Sequence, residues 1–349
     1  MAIIYSKNSE LNNSMIGRLE TPLKMIIEHE SDAQAKLNSV QKSLFNIEKS
    51  KKFGETLVGN SEFDVFSHAA EGAGAENDTI QETYKKFIEH IQFMKEFTIT
   101  AEMMEDANYG VGADAKRRAE QFTRAYYKTM NKICSTALIN GTNTTATFAK
   151  AKLDLTTFND EPLFYKDHKL NAPRGKVKTQ ANYFNASGWS TSTEGGIETM
   201  LAHGSNKIRN MRDENGEILE YIADTIILPG NRPEFEAKIK KACGSERTTG
   251  SNNNDINIQY GNWNLVVLPD WQTEDNRFMI MSSAANKNLC GNMFFNRVPL
   301  TISNWVDHHT GNYIWNGRCR FGIGFGNYKH IALITDIATN SAAETITLS

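Results

Sequence analysis

The chain has 349 residues, 40% hydrophobic and 23% charged, with a formal net charge of −3. That is the composition of a globular protein with one large core or a few smaller ones. It argues against a generally basic nucleic-acid-binding surface, and no apolar run reaches the length of a membrane span.

The first residues lack a basic start followed by an apolar stretch, so no secretion signal is read. Cys134, Cys243, Cys290 and Cys319 are scattered with no CxxC pair, which argues against a disulfide framework or a zinc ribbon. Residues 11–52 read as helix, because Leu37, Val40, Leu44 and Ile47 recur at helical spacing. Pro22 marks a break or the first turn of a second helix. The apolar face is narrow, so this segment is expected to pack against another element or another subunit.

Residues 53–83 hold seven acids, four glycines and neither Lys nor Arg. Composition fits a β-hairpin arm and an acidic surface loop equally well. Phe87, Ile91, Phe93, Phe97 and Ile99 then suggest extended structure. Thr100 is placed to cap a short helix from Ala101, with Glu102 and Glu105 in its first turns. Gly110 and Gly112 break it.

A long helix follows from about Asp114 to Ile139. Ala115, Ala119, Phe122, Tyr126, Met130, Ile133 and Ala137 keep spacings of three and four, with Lys116, Arg117, Arg118, Glu120, Arg124 and Lys128 on the other face. At 1.5 Å per residue it is roughly 40 Å long, a structural spine, and Asn140-Gly141 stops it. Residues 188–300 read as an α/β unit: helices over Glu194–Met211 and Pro233–Cys243, and strands over Tyr221–Leu228, Leu265–Leu268 and Phe278–Met281. Residues 300–337 read as three β runs, and 338–349 as a strand end and tail.

Two clusters in SNWVDHHTGNYIWNGRCRFGIGFG (303–326) invite a catalytic reading. Asp307, His308 and His309 look like metal ligands, and DHH resembles the signature of a manganese phosphoesterase family. Adjacent histidines on a strand point to opposite faces, however, and no further DxD set accompanies them. His309-Thr310-Gly311-Asn312 is a good hairpin turn between Leu300–Val306 and Tyr313–Phe325. Gly322, Gly324 and Gly326 are not GxGxxG, and no helix follows them. They alternate instead with Phe321, Ile323 and Phe325, so they share one strand face, and the spine helix is the expected neighbour of that face. His168 lacks a partner nucleophile motif, and Glu102, Glu105 and Asp106 serve a helix start better than a carboxylate pair. No catalytic, cofactor or metal site is assigned, and the chain is not read as an enzyme.

The order of these pieces resembles the major capsid proteins of tailed bacteriophages, whose shell fold is shared with herpesvirus capsids and encapsulins. The phrases that carry the likeness are FTITAEMMEDANYG (97–110), ALINGT (137–142), LFYKDHKL (163–170) and the closing FFNRVPLTISNWVDHHTGNYIWNGRCRFGIGFGNYKHIALI. The resemblance implies an α+β fold. Its parts would be an N-terminal helical arm (1–52), an extended loop reaching across a neighbour (53–83), a peripheral domain with the spine helix (84–187), an axial domain (188–300), and peripheral closing strands with a C-terminal tail (301–349). It implies self-assembly as pentamers and hexamers into an icosahedral virion shell around double-stranded DNA, without sequence-specific contact and without a membrane. Assembly would take place in the bacterial cytoplasm. Only 52 residues precede the excursion, so a separate scaffolding protein is expected, with a portal and decoration proteins as further partners. The alternatives are an encapsulin-like compartment shell and a phosphoesterase using Asp307, His308 and His309.

Overall fold

The computed structural model describes residues 4–5, 15–37, 39–60, 66, 68–69, 71–72, 74, 82–105, 113–170, 177–189, 196–246, 256–337 and 343–346. In chain order the elements begin with β1 (Ile4–Tyr5), α1 (Met15–Lys36), α2 (Val40–Leu44), β2 (Asn46–Lys49), β3 (Gly54–Asn60), β4 (Glu82–Glu89), β5 (Ile91–Ile99), α3 (Ala101–Glu105) and the spine helix α4 (Ala113–Ile139). Short pairs follow: β6 (Thr145–Phe148) with β7 (Ala151–Asp154), and β8 (His168–Lys169) with β9 (Thr179–Gln180). The α/β part comprises β10 (Tyr183–Asn185), α5 (Gly196–Arg209), β11 (Thr225–Pro229), α6 (Pro233–Gly244), β12 (Asn264–Leu268), β13 (Arg277–Met281) and α7 (Ser283–Asn288). The chain closes through β14 (Asn292–Val306), β15 (Tyr313–Phe325), β16 (Ile331–Thr335) and β17 (Glu344–Thr345).

Two sheets organise these pieces. A five-stranded sheet runs β1-β14-β15-β5, with β2 added beside β14. A six-stranded sheet runs β12-β11-β13-β16-β10-β17. The spine helix fills the main core: Ala115, Ala119, Phe122, Tyr126, Met130, Ile133 and Ala137, the residues of its apolar stripe, are all buried. Burying such a stripe supplies most of a helix's stability in a protein. Asn140 ends the helix by donating its side-chain amide to Thr136 O at 2.9 Å. Gly141 is required for space, since a Cβ there would lie 2.8 Å from the Phe164 ring.

Three expectations are corrected. The N-terminal helix does not continue to residue 52. It runs through Pro22 and ends at Lys36, Ser39 caps α2 by accepting from Lys42 N, and Asn46–Lys49 is a strand. Backbone pairing with Met293–Asn296 outweighs helical spacing there, and Leu37 and Ile47 stand exposed. The helix packs on its own chain's spine, with Leu23 and Ile27 buried and Ser31 Oγ 2.7 Å from Tyr127 OH.

Second, Ile331–Thr335 is not paired with the preceding hairpin. It lies between Arg277–Met281 and Tyr183–Asn185 in the six-stranded sheet. Third, the α/β part does not keep a core to itself. Ile226, Leu228, Phe278, Ile280 and Ile334 face α5 and α6, while Ile227, Leu268, Met279, Met281 and Leu333 join the cluster built on the spine helix. Continuous apolar strands of this kind are buried on both faces.

Candidate functional site

The DHH cluster sits at the hairpin between β14 and β15. Asp307 Oδ1 accepts from His309 N at 3.1 Å and Oδ2 accepts from Thr310 Oγ1 at 2.6 Å. Asp307 N donates to Asn312 O at 2.9 Å, and Gly311, at φ +69°, donates back to Asp307 O. These side-chain bonds hold the Asp307 carboxyl below its usual range, the Thr310 hydroxyl first among the causes. Asp307 thus uses both oxygens to close a turn, while His308 and His309 are exposed. Among the described residues, no group of three or more His, Cys, Asp and Glu side chains is placed to hold a metal.

The glycine strand folds in the expected register with a different neighbour. Phe321, Ile323 and Phe325 point into the main core. A Cβ at Gly322 would meet His90 Nδ1 at 2.6 Å, and one at Gly324 would meet Ile88 Cδ1 at 2.8 Å. The glycine face therefore receives the base of the arm, not the spine helix. The spine packs on the opposite face, where a Cβ at Gly317 would lie 2.2 Å from Phe122 Cζ. The helix follows the aromatic residues because that face buries more apolar area.

The arm base is the pair β3–β4, with Gly54 opposite Glu89 and Gly59 opposite Tyr84. Its inner face alternates Tyr84, Lys86 and Ile88. Tyr84 stacks on Phe158 at 4.3 Å between ring centroids, Phe158 on Tyr328 at 5.9 Å, and Tyr328 on His168 at 3.7 Å. Lys86 is 6% exposed and donates to Asp154 Oδ2 and Thr156 Oγ1, each at 2.5 Å. Ile88 packs with Met293 and Phe295. These anchors were missed in the sequence; the signal was the period-2 phase of residues 84–88, which sends Lys86 inward with its apolar neighbours. Glu62 and Asp64, two of the acids of the 53–83 excursion, lie outside the described residues.

His168 is a buried structural group. Its Nε2 is 3.1 Å from Asn182 Oδ1 and its Nδ1 3.3 Å from Glu161 Oε2. Beside it Lys329 and Glu214 form a buried pair at 3.1 Å. The acids of residues 102–106 do not form a described pair: Glu102 is exposed, and Asp106 and the side chain of Glu105 are outside the described residues. Thr100 caps α3 as expected, its Oγ1 accepting from Met103 N at 3.3 Å.

Several basic side chains of the spine helix and of α6 are engaged within the chain. Arg117 pairs with Asp114 at 2.6 Å, Arg118 donates to Thr98 O at 2.5 Å, and Arg124 bridges to Glu30 at 2.7 Å. On the α/β part Lys240 pairs with Glu236 at 2.5 Å. No helix among the described residues is long and apolar enough to cross a membrane.

Comparison with known proteins follows this geometry. A family model described as phage capsid protein matches residues 85–334. Among solved structures, one from Mycobacterium phage Patience is similar over 98% of this chain and 94% of its own, at 13% identity and a TM-score of 0.52. The capsid structure of the cyanophage P-SCSP1u is similar over 87% of this chain and 89% of its own, at 9% identity and a TM-score of 0.51. The capsid of a native GTA particle aligns over 87% and 92%, at 12% identity and a TM-score of 0.50. At these identities the likeness is one of fold. No curated protein matches the sequence.

Proposed function

The chain belongs to the phage capsid protein family and is a structural capsid protein, and from that premise we propose that it assembles as pentamers and hexamers into an icosahedral virion shell around double-stranded DNA. The observation that carries this reading is the family match, which runs from the arm base through the spine helix and into both sheets. In this reading residues 1–52 are the N-terminal arm and 53–83 the extended loop that overlaps a neighbour. Residues 84–187 and 301–349 are peripheral, and 188–300 axial, with Ile331–Thr335 hydrogen-bonded into the axial sheet. Shells of this kind rest on many modest heterologous contacts rather than one large interface. A net charge of −3 suits an inner wall that does not grip the genome tightly. A separate scaffolding protein, a portal and decoration proteins are the proposed partners, and assembly takes place in the host cytoplasm.

Electron microscopy of the purified protein tests this. Closed shells or capsomers are expected, and only small discrete particles at every concentration would overturn it. DNA inside particles recovered from cells marks a virion shell; protein cargo would mark an encapsulin-like compartment instead.

A further inference from the structure

Beside the spine helix the five-stranded sheet leaves a cavity that opens to solvent. It measures about 160 Å³ and lies where α4, β5, β15 and the β6–β7 hairpin meet. The helix makes the gap. Positions 122 and 126 carry the Phe and Tyr rings, while the adjoining row, Ala125 and Thr129, carries only short side chains. Phe93 of β5, Phe148 of the hairpin and Cys319 of β15 complete the wall, and the Phe93 and Phe148 rings meet edge-on at 6.1 Å.

The polar atoms of this wall are already used. Thr129 Oγ1 donates to Ala125 O at 2.8 Å, Cys319 Sγ donates to Phe93 O at 3.7 Å, and the Tyr126 hydroxyl bonds to the Leu300 backbone. Burial pushes the Cys319 thiol up to about 12, so it carries no charge. The interior therefore offers a guest hydrocarbon surface. Lys95 is the exception. It continues the strand phase of Phe93 and Phe97 and lies opposite Gly317, so it turns to the helix side and lines the cavity. Its side chain is exposed and has no ion pair among the described residues. Lys150, next to Ala149 on the rim, is likewise exposed and without an ion pair among the described residues. No acidic residue lines the cavity, and Glu96 is in the opposite strand phase.

We propose that this cavity binds a small aromatic or branched aliphatic carboxylate, its hydrocarbon body against the spine helix and its carboxylate on Lys95. Size and charge select the class. An apolar cavity of about 150 Å³ admits a benzene-sized body. A lysine at the mouth of such a cavity favours an anionic head over a neutral or cationic one. A bound molecule would touch the helix, the sheet and the hairpin together, so it stabilises the folded subunit in proportion to its occupancy. The site belongs to one subunit and does not depend on assembly into a shell.

Phenylacetate is the probe, with benzylamine and acetate as matched controls of opposite charge and of no hydrocarbon body. Phenylacetate is expected to raise the melting temperature of the full-length subunit in a saturable way, with a Kd on the order of millimolar for a ligand of about ten non-hydrogen atoms. Benzylamine and acetate at the same concentration should not. Lys95→Met keeps the side-chain stem and removes the charge, and should weaken phenylacetate about tenfold. Ala125→Leu fills the cavity and should abolish binding. Lys95 is exposed, so Lys95→Met decides the matter alone where circular dichroism shows that Ala125→Leu does not fold. No saturable shift with phenylacetate, an equal shift with benzylamine, or an unchanged Kd in either folded variant overturns the assignment.

Discussion

Gly324 offers the sharpest test of how the arm is held. A Cβ placed there lies 2.8 Å from Ile88 Cδ1 and 2.9 Å from Cγ1, closer than carbon atoms approach. Ile88 is 4% exposed and packs in one buried cluster with Met293, Phe295, Leu57 and Cys290. Gly324→Ala should therefore cost about 1–3 kcal/mol by overpacking. Ile88→Ala removes the obstacle and should cost about 2–5 kcal/mol through lost burial and the cavity left behind. Combined, the new methyl occupies part of that cavity, so the double variant should be more stable than the sum of the singles by about 1 kcal/mol or more. Urea unfolding of the unassembled subunit, followed by tryptophan fluorescence, gives the three values. Limited proteolysis within residues 61–81 reports separately whether the base has opened. Additivity to within about 0.5 kcal/mol would refute the contact as described.

Two further outcomes are expected. Replacing His308 and His309 together by Ala should leave the melting temperature and shell formation unchanged, with and without added manganese; metal-dependent stabilisation lost in the variant would revive the ligand reading. His330 is fully buried, with Nε2 at 2.9 Å from Asn292 Oδ1, and burial pushes its pKa from 6.5 to about 3. The unfolded chain then binds the extra proton first. His330 should therefore cost stability as pH falls from about 6.5 toward 3, by up to about 1.4 kcal/mol per pH unit, and have no effect above that window. His330→Gln should flatten the acid limb measured by denaturant midpoints at successive pH values; an unchanged slope would show that another group sets it.

The sequence was legible where one periodicity meets one partner. The spine helix stripe from Ala115 to Ala137 is buried as read, and the elements between Gly196 and Met281 fall within a few residues of their expected bounds. It was illegible where the partner lies far along the chain. Leu44 and Ile47 look alike by spacing, but Leu44 enters the core and Ile47 goes to a strand fixed by residues 293–296. The glycines of β15 announced a close approach and could not name Ile88, more than two hundred residues earlier, as the group approaching. At the DHH turn the letters suggested chemistry. Strand alternation does not reach the histidines, because the strand ends at Val306 and His308 and His309 lie exposed in the turn. The hydrogen bonds of Asp307 give its carboxylate a structural use there.

The path of the last strands carries a consequence for how such a subunit is made. Ile331–Thr335 separates Arg277–Met281 from Tyr183–Asn185, and Glu344–Thr345 pairs beyond it. The six-stranded sheet cannot close until the C-terminal segment arrives, and its inner face is also the wall of the spine-helix core. The five-stranded sheet likewise needs β14 and β15, since among the described residues β2 pairs with β14 and β5 with β15. Both cores thus depend on contacts between the two ends of the chain, the non-local pattern that folds slowly. A chain still being synthesised therefore lacks both finished sheets, and the subunit is complete only once its C-terminal strands are in place.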